Sequence, residues 1–276
     1  MPLVYACIAP HGGGTIPRLA GSDIKLFAPT RLGMRVLAEQ FKAARPETVV
    51  IASPHNLRLA KHLGIVLSEN SSGVVKEGGR HIALSLKCDQ EFAATLLERA
   101  ERKGLPVVGA NFGALTGPAS DLAMDWGTLI PLWFFVSENG LRAKIVVVTP
   151  SRGIPLRNNF ELGVLIGEQA EKTKKRIAFV ASADQAHTHG TNGPYGFSRE
   201  AVVYDRRVVE AVRRNALATI MAIRPGLVEA AKPDGLWQMA ILAGVLTVVP
   251  LPGEVVSYQV PTYYGMLCAG YVRDVL

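Results

Sequence analysis

Short apolar runs alternate along the 276-residue chain with longer stretches whose apolar residues recur every three or four positions. The first run, LVYACIA at 3–9, has the character of a strand buried on both faces. VVIAS at 49–53, AKIVVVT at 143–149 and RIAFVAS at 176–182 repeat it, and the run at 143–149 is the clearest central strand. Between them, residues 30–44 place Leu32, Met34, Val36, Leu37, Phe41 and Ala44 at helical spacing, with Thr30 as N-cap and Pro46 as the stop. Residues 89–103 read as an amphipathic helix that opens acidic and closes basic, and 159–173 as another. A long helix is expected over 200–221, with Val202, Val203, Val208, Val209, Val212, Leu217 and Ile220 on its apolar side. After Pro233, Asp234 and Gly235, the segment LWQMAILAGVL predicts one more helix, which places Asp234 at or near an N-cap.

Gly73 and the Gly78-Gly79 pair divide 65–86 into a hairpin or edge strands beside the sheet. A short strand at 105–110 and closing strands at 254–260 and 263–272 complete the pattern. Strands that alternate with helices predict an α/β fold with a mostly parallel, doubly wound central sheet flanked by helices, plus small antiparallel edge strands. No linker, composition break or internal repeat divides the chain, so 1–276 is expected to be a single catalytic domain.

Composition narrows the class. With 49% apolar residues and a mean hydropathy of +0.21, the chain can bury a sizeable core and is not a disordered segment. No apolar stretch reaches the roughly 18 residues of a membrane span, and the N-terminus lacks the features of a signal peptide. A soluble, cytoplasmic protein without a membrane partner is expected. The formal charge is +7, yet the 30 Lys and Arg are scattered, and the densest group, Lys172, Lys174, Lys175 and Arg176, stands at a helix end, where cations complement the dipole. No nucleic-acid partner is therefore expected, while a positive field would draw in a carboxylate-bearing substrate. Cys7, Cys88 and Cys268 are too widely spaced for a metal motif and read as buried thiols in a reducing compartment.

The chemistry lies where strands stop. His11 follows the first strand and precedes three glycines, His55 follows the second, and His187 and His189 follow the run at 176–182; only six histidines occur in the chain. Open α/β sheets place ligands at the carboxyl ends of their strands, and glycines let backbone approach closely. His62 and His81 lie in polar surroundings and read as surface residues. Two imidazoles and a carboxylate can hold Fe(II) on one face, with His11 and His55 as the imidazoles and Asp234 as the best-placed late carboxylate. His187, left off the metal, would be a general base. The same set suits Zn(II) and a hydrolytic water, so the residues alone indicate a metal-dependent enzyme.

APHGGG at 9–14, SPHN at 53–56, DWGTLIPL at 125–132 and SADQAH at 182–187 occur in the order found in class III extradiol ring-cleavage dioxygenases. The chain resembles the catalytic subunit of that superfamily, the protocatechuate 4,5-dioxygenase beta-subunit type, which also includes Memo-like proteins. The resemblance implies His11 and His55 as iron ligands and His187 as the active-site base, with His189 two residues beyond the motif. The family's third ligand is a glutamate shortly before a helix ending Gly-Ala-Leu; here that helix ends Gly244-Val245-Leu246, and the nearest carboxylate is Asp234. Many members carry Asp-His-Gly where this chain has Asp125-Trp126-Gly127, which removes a second acid/base histidine.

The same resemblance implies Fe(II), with Mn(II) or Zn(II) as alternatives, no organic cofactor, and extradiol cleavage of a catechol or aminophenol by O2. Asn56, Trp126 and His189 are the expected pocket residues. A homo-oligomer, with or without a small companion subunit, is expected. The competing readings are a Memo-like member without dioxygenase activity, a zinc hydrolase using the same histidines, and a binding protein whose histidines are structural.

Overall fold

The apolar runs pair side by side. In the structure, a computed structural model that describes residues 3–137, 140 and 142–273, β1 (Leu3–Ala9), β9 (Ile177–Ser182), β2 (Thr48–Ala52) and β8 (Lys144–Thr149) are adjacent and parallel. They form the middle of an eight-stranded sheet of order β10-β11-β1-β9-β2-β8-β3-β6. On one side β11 (Met266–Val272) runs antiparallel to β1 and carries β10 (Gly253–Gln259) at the edge. On the other, β3 (Leu63–Val66) runs antiparallel to β8 and parallel to β6 (Val107–Ala110).

Alternate residues of each strand feed two hydrophobic layers, which is why the central strands carry no charge apart from Lys144 at the exposed start of β8. Leu3, Ile8, Val50 and Phe179 face a layer that includes Leu162 and Ile166 of α5 (Leu156–Lys172) and Met239 and Ile241 of α8 (Leu236–Val248). Tyr5, Cys7, Val49 and Ile51 face the opposite layer, with Met34, Leu37 and Phe41 of α2 (Ala28–Ala44). The remaining helices are α1 (Pro17–Ala20), α3 (Gln90–Arg102), α4 (Trp126–Leu132), α6 (Glu200–Arg213) and α7 (Pro225–Ala231). The three cysteines are free and buried, and among the described residues no helix is long and apolar enough to cross a membrane.

Three expectations need correction. The hairpin turns at Gly78 and Gly79, both at positive φ, but β4 (Asn70–Glu77) and β5 (Arg80–Lys87) join β7 (Asp121–Ala123) in a separate three-stranded sheet instead of edging the main one. The helix expected over 200–221 ends with α6, because Asn215 adopts a left-handed conformation (φ 52°) that breaks it. A 3-10 turn at Leu217–Ala222 then keeps Leu217 and Ile220 in the core, so the apolar spacing persists across the break. Finally, β11 begins at Met266, not at 263, which frees Tyr263 and Tyr264 to face a cleft.

Candidate metal centre and cleft

β1, β9 and β2 are neighbours, so their carboxyl ends bring together segments far apart in sequence. His11 stands two residues past β1, His55 three past β2, Asp184 two past β9, and Asp234 just before α8. His11 Nε2 lies 3.0 Å from Asp234 Oδ2, His55 Nε2 lies 3.1 Å from the same oxygen, and the two nitrogens are 3.2 Å apart. These three side chains form a group that could hold a metal ion. At bond lengths of about 2.1 Å, donors at right angles lie about 3.0 Å apart and tetrahedral donors about 3.4 Å. The observed triangle is closer to one face of an octahedron.

His11 and Asp234 are oriented by hydrogen bonds from behind. The Ser182 hydroxyl donates to Gly127 O and so accepts from His11 Nδ1, 3.0 Å away, which turns the Nε2 lone pair toward the cluster. His55 is held differently: its ring stacks on Trp126 with centroids 4.1 Å apart, and its Nδ1 makes no hydrogen bond among the described residues. The Asp234 side chain does not cap α8, whose N-cap is Gly235; its second oxygen, Oδ1, accepts from Arg152 Nη2 at 3.0 Å and from Gln238 Nε2 at 3.4 Å.

The electrostatics call for a cation. Burial alone would lower the His11 pKa, but the Asp184 and Asp234 carboxylates raise it to about 9. Burial would raise Asp234, yet hydrogen bonds and charge from His11 and His55 hold it well below the usual carboxylate range. Asp184 is pushed up, chiefly by burial. A divalent ion at this cluster would compete with a proton for the same donor atoms.

The triangle opens on a cleft of about 630 Å³, lined by His187, Trp126, Met124, Tyr195, Tyr263 and Tyr264 among others. His187 Nδ1 lies 2.8 Å from Gln185 O; a carbonyl only accepts, so the proton is on Nδ1 and Nε2 keeps a lone pair. Its ring stacks on Tyr264 at 5.2 Å, with Tyr195 and Tyr263 at 6.3 and 5.9 Å. Gly12 has a local reason to lack a side chain: a Cβ there would come within 2.5 Å of the Tyr264 hydroxyl.

Of the expected pocket residues, Trp126 lines this cleft. Asn56 lines an adjoining one of about 660 Å³ that shares His55, Met124 and Asp125, and its amide donates to Ala123 O. His189 does not line either cleft: its Nε2 lies 2.7 Å from Asp205 Oδ2, and Asp205 also accepts from Tyr258 and from the Ala186 amide. It anchors the His187 loop to α6. Sequence reasoning overlooked Asp184, which accepts from the His11 amide at 3.2 Å, as well as Arg152, Gln238 and the tyrosine wall. Arg152 stands three residues past β8, at the same kind of strand end as the histidines, so its place was legible in the sequence.

Comparisons with known proteins bear on the family and the fold. The family model described as the catalytic LigB subunit of aromatic ring-opening dioxygenase matches residues 5–271. A Clostridium acetobutylicum protein, Protein CA_C1420, is 22% identical over 253 residues, covering 91% of this chain. The match takes in 54% of that relative, so the chain spans about half its length. The crystal structure of the uncharacterized protein JW3007 from Escherichia coli K12 superposes with a TM-score of 0.64 at 16% identity, covering 97% of this chain and 99% of that one, which shows a shared fold. The chain belongs to the LigB family of aromatic ring-opening dioxygenase catalytic subunits.

Proposed function

We propose that this LigB-family protein cleaves a catechol-type or aminophenol-type aromatic with O2, using Fe(II) held by His11, His55 and Asp234. The observation that carries the reading is the triangle of two Nε2 atoms and one carboxylate oxygen, 3.0 to 3.2 Å on each edge, with His187 in the cleft onto which it opens. Two neutral imidazoles and one carboxylate on a single face are the donor set of non-haem Fe(II) oxygenases. Bound there, iron supplies electron transfer to oxygen and the Lewis acidity that favours an ionised diol.

The rest belongs to the chain. His187 Nε2, with Nδ1 committed to Gln185 O, takes the proton of a substrate hydroxyl. Tyr263, Tyr264 and Trp126 present ring faces and edges to an aromatic substrate and limit the water around it. Ser182 keeps His11 in the tautomer that points Nε2 at the cluster. No organic cofactor is required.

A second reading, a Memo-like member without dioxygenase activity, draws on Trp126. Where many ring-cleaving relatives have a second acid/base histidine, Trp126 stacks on His55 and cannot move a proton. Oxygen uptake separates the readings. Anaerobically purified, Fe(II)-loaded protein is given catechol, protocatechuate or 2-aminophenol, and extradiol cleavage is expected to consume oxygen with the appearance of a yellow ring-opened product. No uptake from protein confirmed to hold one Fe(II) per chain would favour the second reading.

A further inference from the structure

We infer that Arg152 makes Asp234 a single-oxygen metal ligand and so keeps the cleft side of the cluster open. The inference rests on the reading of His11, His55 and Asp234 as a metal site and concerns how that site is shaped.

The two Asp234 oxygens have different surroundings. Oδ2 faces both histidine Nε2 atoms at 3.0 and 3.1 Å, whereas Oδ1 is turned back to Arg152 Nη2 at 3.0 Å and Gln238 Nε2 at 3.4 Å. A carboxylate beside a divalent cation can rotate to chelate through both oxygens, which would take up a coordination position that substrate or oxygen needs. A charge-assisted hydrogen bond to Oδ1 opposes that rotation.

The clamp is itself fixed. The Arg152 guanidinium lies over the Trp237 ring, 4.7 Å from its centroid, and Nη2 also approaches the Asp234 carbonyl oxygen at 3.4 Å. The preceding residue is anchored twice, the Ser151 amide donating to Asn159 and its hydroxyl to Leu59 O. Arg152 does not line the cleft, so its contacts run to the ligand and not to the space a substrate would fill. It is a positioning residue.

Metal-stripped wild-type, Arg152→Gln and Arg152→Lys proteins, with Arg206→Gln on the exposed face of α6 as a remote control, would be titrated with Co(II). Equilibrium dialysis gives affinity, and the visible bands of the bound ion report its coordination. The expected result is one Co(II) per wild-type and Arg206→Gln chain, roughly 10–100-fold weaker binding by Arg152→Gln, and a changed band shape and intensity in that variant. Arg152→Lys keeps the charge and is expected to recover part of the affinity and the wild-type bands. Should Arg152→Gln fail to fold, Arg152→Met takes its place: weaker Co(II) binding with altered bands supports the clamp, and wild-type affinity and bands overturn it. Identical affinity and spectra in wild type and Arg152→Gln overturn the inference while leaving the metal site intact. No Co(II) on the wild type would overturn the metal site and the clamp together.

Discussion

His187 and His189 are two residues apart in one loop and serve different ends. His187 keeps a free Nε2 in the cleft, while His189 is tied to Asp205. The division of labour gives a mutational test. His11→Ala or His55→Ala should lose the bound metal, whereas His187→Asn should retain it and lose turnover; metal analysis beside activity would show all three losing metal alike if the roles are misassigned. His189→Ala should leave metal content unchanged and lower unfolding stability by about 1–3 kcal/mol in urea titrations, since Asp205 loses a buried partner. The sequence made the histidines legible because strand ends in α/β sheets are informative positions. It singled out His187 as the base but left His189 as a pocket residue, because the partner that decides the matter, Asp205, lies on a helix whose docking no local pattern records.

Elements hold these side chains through contacts that propensity does not report. Asp234 precedes α8, and α8 crosses α5 so closely that a Cβ on Gly244 would lie 2.1 Å from Phe160 O and one on Gly163 1.9 Å from Ile241 O. Gly244→Ala should cost about 1–3 kcal/mol or more through overpacking. Because α8 must shift to relieve the clash, metal affinity should fall with stability; unchanged affinity in the destabilised variant would mean that the Asp234 turn is seated independently of α8. The N-cap of α3 was legible as an acidic start, but its wider role was not. Asp89 accepts from the Phe92 amide, the Thr48 hydroxyl and Lys175, joining α3 to the start of β2 and to the chain just before β9. Burial alone would raise its pKa, yet these bonds outweigh it and hold the carboxyl below its usual value. The folded pKa being the lower one, this stabilisation is present above the unfolded pKa of about 3.9 and is lost as pH falls through the folded value. Asp89→Asn should be less stable at pH 7 by about 1 kcal/mol, because Asn still caps the helix but loses the charge that faces Lys175, with a shallower loss than wild type as pH falls below the unfolded value of about 3.9; an unaltered acid profile would assign the transition to other carboxylates.

At the scale of the whole molecule, the site is a product of strand order. Periodicity indicates four central strands but not that β9 inserts between β1 and β2, and it is that insertion which brings Ser182 and Asp184 against His11. Bringing His11, His55 and Asp234 together therefore requires the complete sheet, with α8 packed on it. A metal that joins residues so distant in sequence binds the folded chain and has no comparable site in the unfolded one, so it must stabilise the fold by mass action. At free metal about 100 times its dissociation constant, the gain is about 2.7 kcal/mol, which for a domain of this size corresponds to a rise in Tm of roughly 5–10 °C. Thermal unfolding of metal-stripped protein with and without Co(II) should show that rise, and a chelator should reverse it. The same experiment on Asp234→Asn should show most of the shift gone. A full shift in that variant would place the bound ion elsewhere, because an ion held by the triangle cannot remain indifferent to the one carboxylate oxygen that both imidazoles face.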